Sequence, residues 1–162
     1  MDTHANRGRW FERMLNAACA QYRLDRRAYI FPVPTPVRFG RGRRSAFFER
    51  KSSPDYLGVL RGRGVAFDAK STMRRAWSAP IPDHQLTALQ LVSELGHLSG
   101  IMLGFWEPSP VAVWVPWPAC QQLASGLWSQ HRALSLPGAI RVTFTGLMDF
   151  LPALEATCAR PR

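Results

Sequence analysis

The stretch Pro54-Asp55-Tyr56-Leu57-Gly58-Val59-Leu60-Arg61-Gly62-Arg63-Gly64-Val65-Ala66-Phe67-Asp68-Ala69-Lys70 decides how this chain folds. Two apolar runs, about 55–60 and 65–70, flank Arg61-Gly62-Arg63-Gly64, and glycines between such runs mark a hairpin. Pairing Leu60 with Val65 sets Asp55 opposite Lys70 and Leu57 opposite Asp68. Side chains alternate along a strand, so Asp55, Asp68 and Lys70 then share one face. Diagonal neighbours lie about 7–8 Å apart, close enough for two carboxylates to share a cation. A one-residue slip would scatter the three groups. Taken alone, Asp-x-Lys also describes a surface ion pair worth under about 1 kcal/mol.

The cation usage sharpens the pattern. The chain holds nineteen arginines and two lysines, and one lysine is Lys70. A lysine ammonium is compact and its pKa shifts readily, which a guanidinium cannot imitate. Net charge is +10, unevenly spread: residues 1–75 carry +11 and residues 76–162 carry −1. That concentration is the footprint of a polyanion partner, with nucleic acid ahead of an anionic membrane surface. A length of 162 residues and an apolar fraction of 46% describe one folded domain, 1–162. Cys19, Cys120 and Cys158 are odd in number and widely spaced, which fits buried thiols in a reducing compartment. With no apolar run of membrane-spanning length and no signal-like start, a cytoplasmic protein is expected.

Outward from the hairpin, the helical stripe Trp10, Phe11, Met14, Leu15 and Ala18 predicts a first helix from about Arg9 to Tyr22, with Asn6 or a neighbour as its cap. Glu12 lies about 100° round from Phe11 at the stripe's edge, where it can look into a cleft. A solvated surface carboxylate is the plainer reading of that position. Tyr29-Ile30-Phe31 reads as a short strand stopped by Pro32, Pro34 and Pro36. An arginine-rich projection at about 36–48 follows, as a loop or hairpin. Arg38, Arg41, Arg43, Arg44, Arg50 and Lys51 on it suit phosphate contact. Arg61, Arg63, Arg74 and Arg75 extend the DNA-facing set. A second helix is expected from Pro82-Asp83 to about Leu98, then strands at 100–106 and 111–115, a short helix near 119–127, and a strand and weak helix in the tail. Alternating strands and helices of this kind make a mixed α/β sheet flanked by helices.

Phosphodiester hydrolysis needs an activated water and charge relief on the phosphate, and bound Mg²⁺ supplies both. Magnesium takes a few carboxylate oxygens and keeps several waters. Asp55 and Asp68 are the expected ligands, with Glu12 and the Ala69 carbonyl completing the set. Lys70 is expected to orient the attacking water, and Gln85 to hold that water or a phosphate. No small-molecule cofactor is expected.

A family resemblance narrows the reading. Gly8-Arg-Trp-Phe-Glu-Arg-Met-Leu-Asn16, Pro34-Thr-Pro-Val37, Ala46-Phe-Phe48 and Lys51-Ser-Ser-Pro-Asp-Tyr-Leu-Gly58 resemble the RecU-type Holliday junction resolvases. Gly62-Arg63, Phe67-Asp-Ala-Lys-Ser71 and His84-Gln85 continue the match in order, and it weakens through 100–105. The resemblance implies a restriction-endonuclease-like core and a homodimer with Mg²⁺ at each active site, Mn²⁺ being able to substitute. It also implies symmetric cutting of four-way DNA junctions in recombination and repair, with a stalk, here at 36–48, entering the junction. Three departures stand out: Asp68 where many relatives have glutamate, Pro54 where threonine is usual, and a shorter, more arginine-rich stalk. The rivals are a nuclease of the same core acting on other branched DNA, and a junction-binding protein without catalysis.

Overall fold

The computed structural model describes residues 4–34, 37–39, 46–48, 54–77, 80–124 and 126–159. Helix α1 (His4–Leu24) opens the chain. It buries Phe11, Leu15, Ala18, Cys19 and Tyr22, a stripe at helical spacing that packs against one face of the sheet. Trp10, expected in that stripe, is instead 50% exposed and meets Trp106 edge-on with ring centroids 4.6 Å apart. Tyr22 takes the inner place one helical turn beyond Ala18.

The strands are β1 (Tyr29–Pro32), β2 (Val37–Phe39), β3 (Ala46–Phe48), β4 (Tyr56–Leu60) and β5 (Arg63–Thr72). β6 (Ala76–Trp77) and α2 (Asp83–Glu94) lead to the long central pair β7 (Leu98–Phe105) and β8 (Val111–Pro116). A 3₁₀ turn (Ala119–Ala124), β9 (Trp128–Ser129) and α3 (Gln130–Leu134) come next, followed by β10 (Ile140–Thr145), β11 (Leu147–Asp149) and α4 (Leu151–Cys158). The main sheet runs β1-β4-β5-β7-β8-β10-β11. Only β5 and β7 are parallel neighbours in it, joined by the crossover through α2. Every residue of β7 and β8 is buried, as expected of strands covered on both faces. One core lies under α1 and α4 and a second under α2, the 3₁₀ turn and α3. The expected mixed sheet flanked by helices is the architecture observed.

Helix α1 begins at His4, so Asn6 lies inside it and is not its cap, and the short helix expected near 119–127 is the 3₁₀ turn Ala119–Ala124. Two other boundaries differ from expectation for local reasons. The β4–β5 hairpin pairs Leu60 with Arg63, not with Val65. Arg61 (φ 50°) and Gly62 (φ 76°) both adopt positive φ, and a two-residue turn of that kind matches strand twist better than a four-residue loop. Stacking of Tyr56 on Phe67, paired across the strands with rings 6° from parallel, fixes the register. The shift is two residues, so every side chain keeps its face. Helix α2 stops at Glu94, short of Leu98, because the chain reverses at Gly96 (φ 87°) and Leu98 opens β7. β2 and β3 pair antiparallel, so the basic projection carries a short hairpin ladder. No helix among the described residues is long and apolar enough to cross a membrane.

Candidate active site

The observed register pairs Tyr56 with Phe67, which brings Asp55, just ahead of β4, beside Asp68 on β5. The two residues are cross-linked through the backbone. The Asp55 N–H donates to Asp68 Oδ1 at 3.0 Å, and the Ala69 N–H donates to Asp55 Oδ2 at 3.0 Å. Lys70 Nζ lies 3.6 Å from Asp55 Oδ2, both side chains being largely buried. Asp55, Asp68 and Lys70 are thus brought together as expected, two residues nearer the turn than the assumed pairing had them.

Asp68 is the unusual member. It is 0% exposed, and its Oδ2 has no hydrogen-bond partner. Burial, and then the neighbouring Asp55 charge, push its carboxyl up from 3.8 to about 6; Lys70 and the Asp55 N–H pull the other way. A buried carboxylate with an unpartnered oxygen beside a second carboxylate lacks positive charge. These residues fit a divalent cation. Among the described residues no three of His, Cys, Asp and Glu gather closely enough to form a ligand cluster of their own. Two carboxylates suffice for Mg²⁺, which keeps much of its water.

A cleft of about 270 Å³ opens beside Asp55, lined also by Glu12, Asn16, Tyr56 and Ala69. α1 delivers Glu12 to it. Tyr56, which the motif reading passed over, fastens that wall: its hydroxyl donates to Asn16 Oδ1 at 2.9 Å. Its signal was present in the sequence, since Tyr56 adjoins Asp55 and Asn16 follows Glu12 by one helical turn. Gln85 lies in the first turn of α2, which packs on β5 and β7, and its Oε1 is buried without a partner.

The arginines divide. The side chains of Arg38, Arg41, Arg43, Arg44, Arg50 and Lys51 lie outside the described residues. Arg61 and Arg63 sit at the hairpin turn, about 17 Å along the strand from Asp68 at 3.3 Å per residue. Arg61 pairs with Glu155 at 2.8 Å, and Arg63 donates to the carbonyls of Cys158 and Gly96. Arg74 and Arg75 follow β5 at the same end as Lys70 and are exposed.

Residues 6–113 match the family model described as RecU, Recombination protein U. This chain belongs to the RecU family. A protein named Holliday junction resolvase RecU from Oenococcus oeni is 30% identical, over 94% of this chain and 86% of its own length. A RecU of the same name from a Geobacillus species is 35% identical over 63% of this chain, and one from Shouchella clausii is 30% identical over 68%. The chain spans 56% and 58% of those two relatives. The solved structure of Archaeoglobus fulgidus Hjc, a Holliday junction resolvase, overlaps 75% of this chain and 88% of its own, with 12% identity and a TM-score of 0.47. That overlap is too loose to carry a conclusion. The RecU match contains Glu12, Asp55, Asp68, Lys70 and Gln85, and it ends inside β8.

Proposed function

We propose that this RecU-family protein is a divalent-cation-dependent endodeoxyribonuclease that resolves four-way DNA junctions, with 1–162 as one nuclease domain and the basic projection at 36–48 as its junction-entering stalk. The observation that carries the chemistry is the fully buried Asp68, tied to Asp55 by a backbone hydrogen bond and left with one unpartnered oxygen, with Lys70 beside the pair. A merely structural ion pair would not leave a buried carboxylate oxygen unsatisfied. The relatives named Holliday junction resolvase support the choice of substrate.

Asp55 and Asp68 would hold the cation, Mg²⁺ with Mn²⁺ able to replace it, and Glu12 and the Ala69 carbonyl would complete the set. Such a cation, when bound, supplies charge relief on the phosphate and acidifies a water. Lys70 would orient the attacking water and stabilise the hydroxide, a role suited to an ammonium held against a carboxylate. Gln85, with its buried amide oxygen, would hold that water or a phosphate contact in place. The neighbouring arginines would position the backbone without reading bases. Two active sites related by a dimer two-fold would match the symmetry of a four-way junction and give paired cuts.

The test is a panel of synthetic four-way junctions, forks, nicked duplexes and plain duplexes, incubated with Mg²⁺. The four-way junction should be cut at symmetric positions and the plain duplex spared. Equal cutting of every substrate would leave a nuclease but remove the resolvase reading. Binding without cutting in Mg²⁺ or Mn²⁺ would favour a non-catalytic junction binder.

A further inference from the structure

One transverse row of the sheet links the active site to a recess in the C-terminal half. Lys70 pairs with Leu103, Leu103 with Val113, and Val113 with Arg141, across β5, β7, β8 and β10. Directly paired residues project from the same face of a sheet. Leu103 and Val113 fill the middle of the row within the second core, and a cation stands at each end. Neighbouring strands lie 4.7–4.9 Å apart, so Arg141 is about 14 Å from Lys70. That distance is spanned by roughly two to three nucleotides of one DNA strand, because the winding of the backbone about the axis adds to its axial rise of about 3.4 Å.

Arg141 is exposed and lines an open recess of about 420 Å³ with Arg75, Ser129, Gln130, His131 and Glu107. The recess gathers side chains from the end of β5, from α3 and from β10, so it exists only in the folded protein. Residues 76–162 hold four basic residues in all, Arg132, Arg141, Arg160 and Arg162. Arg132 is committed locally, lying over the Trp128 ring at 4.6 Å and donating to the Leu127 carbonyl. Among the described residues Glu107 makes no ion pair with Arg75 or Arg141. The lining thus holds two arginines and one glutamate, beside a serine, a glutamine and a histidine. Guanidinium groups with small polar donors are the usual partners of phosphate oxygens.

We propose that this recess is a second phosphate subsite, which takes the backbone of the cleaved DNA strand roughly two to three nucleotides from the scissile bond. The proposal rests on the nuclease reading above and extends DNA contact into the half of the chain that carries almost no net charge.

Its test measures junction binding in EDTA over a series of KCl concentrations, for wild type, Arg141→Ala and Glu107→Gln. Each phosphate contact contributes about 0.9 to the slope of log affinity against log salt. Arg141→Ala should lower that slope by about 1 and weaken binding several-fold. Glu107→Gln, which removes a repelling charge and threatens no fold, should tighten binding. A neutral methylphosphonate at roughly the second or third phosphate from the cut should weaken wild type and leave Arg141→Ala unaffected. A wild type that binds and cuts the junction, with both variants matching it in affinity and slope, overturns the subsite alone. A wild type that neither binds nor cuts overturns the nuclease reading and the subsite with it.

Discussion

Replacing Asp68 by Asn should stabilise the cation-free protein while disabling its chemistry. Asp68 is buried against Asp55, and its carboxyl is raised from 3.8 to about 6, burial being the larger cause. The folded state therefore binds a proton more tightly than the unfolded chain does. Stability from this group is intact below about pH 3.8 and falls as pH rises toward 6 and beyond, because the native state must then carry a buried charge. A shift of that size is worth about 3 kcal/mol at 1.36 kcal/mol per pKa unit. Asparagine keeps an oxygen for the Asp55 N–H and offers an N–H toward the Asp55 carboxylate, much as a protonated Asp68 would. Allowing for imperfect replacement, Asp68→Asn should gain about 1–3 kcal/mol at pH 7.5 in EDTA, or several degrees in Tm for a domain of this size. Urea denaturation at pH 7.5, 6 and 4.5 is the assay. The advantage should shrink steadily toward the acid end, and added Mg²⁺ should stabilise wild type more than the variant. A variant less stable than wild type at pH 7.5, or an advantage that ignores pH, refutes the reasoning.

Three further outcomes follow from the geometry. Tyr22→Phe removes a buried hydroxyl that donates to Asp149 at 2.7 Å and accepts from the Phe150 and Leu151 N–H groups, so it should cost about 2–3 kcal/mol in urea titration and leave DNA binding unaltered. Gly58→Ala places a methyl against the Tyr29 carbonyl and Ile30 Cα of the edge strand β1, and should cost about 1–3 kcal/mol, read as a lower denaturation midpoint. Replacing Arg41, Arg43 and Arg44 by alanine should cut the salt dependence of junction binding by up to about 3 slope units, measured by titration at several KCl concentrations; an unchanged slope counts against the stalk's contact with phosphate.

The grouping of Asp55, Asp68 and Lys70 was readable because its key relations are local. Asp68 and Lys70 are two residues apart on one strand, and the turn that faces them with Asp55 lies within the same short stretch. The register was harder, since it hangs on Arg61, a non-glycine residue, taking positive φ to close a two-residue turn. The end of α2 was hidden by leucines that keep a helical step through Leu95 and Leu98 although Gly96 reverses the chain between them. Trp10 lies at the margin of α1's apolar stripe, where the sheet face beneath decides what is covered, whereas Tyr22 falls at the centre of the buried face and closes it only because the helix continues past it to Leu24. The pairs β6–β9 and β10–β11 are too short for periodicity to announce them. The alignment of Arg141 with Lys70 was invisible for a different reason: it depends on three strand pairings between distant segments.

The most direct test of the central claim compares wild type with Asp55→Asn on a labelled four-way junction, scoring binding in EDTA and single-turnover cutting in Mg²⁺. Asp55 touches Ala69, Asp68 and Lys70 at once, so its carboxylate is the hub of the proposed site. The variant should bind the junction with wild-type affinity and cut it at least about 100-fold more slowly. Undiminished cutting by Asp55→Asn would show that the chemistry is performed elsewhere in the molecule.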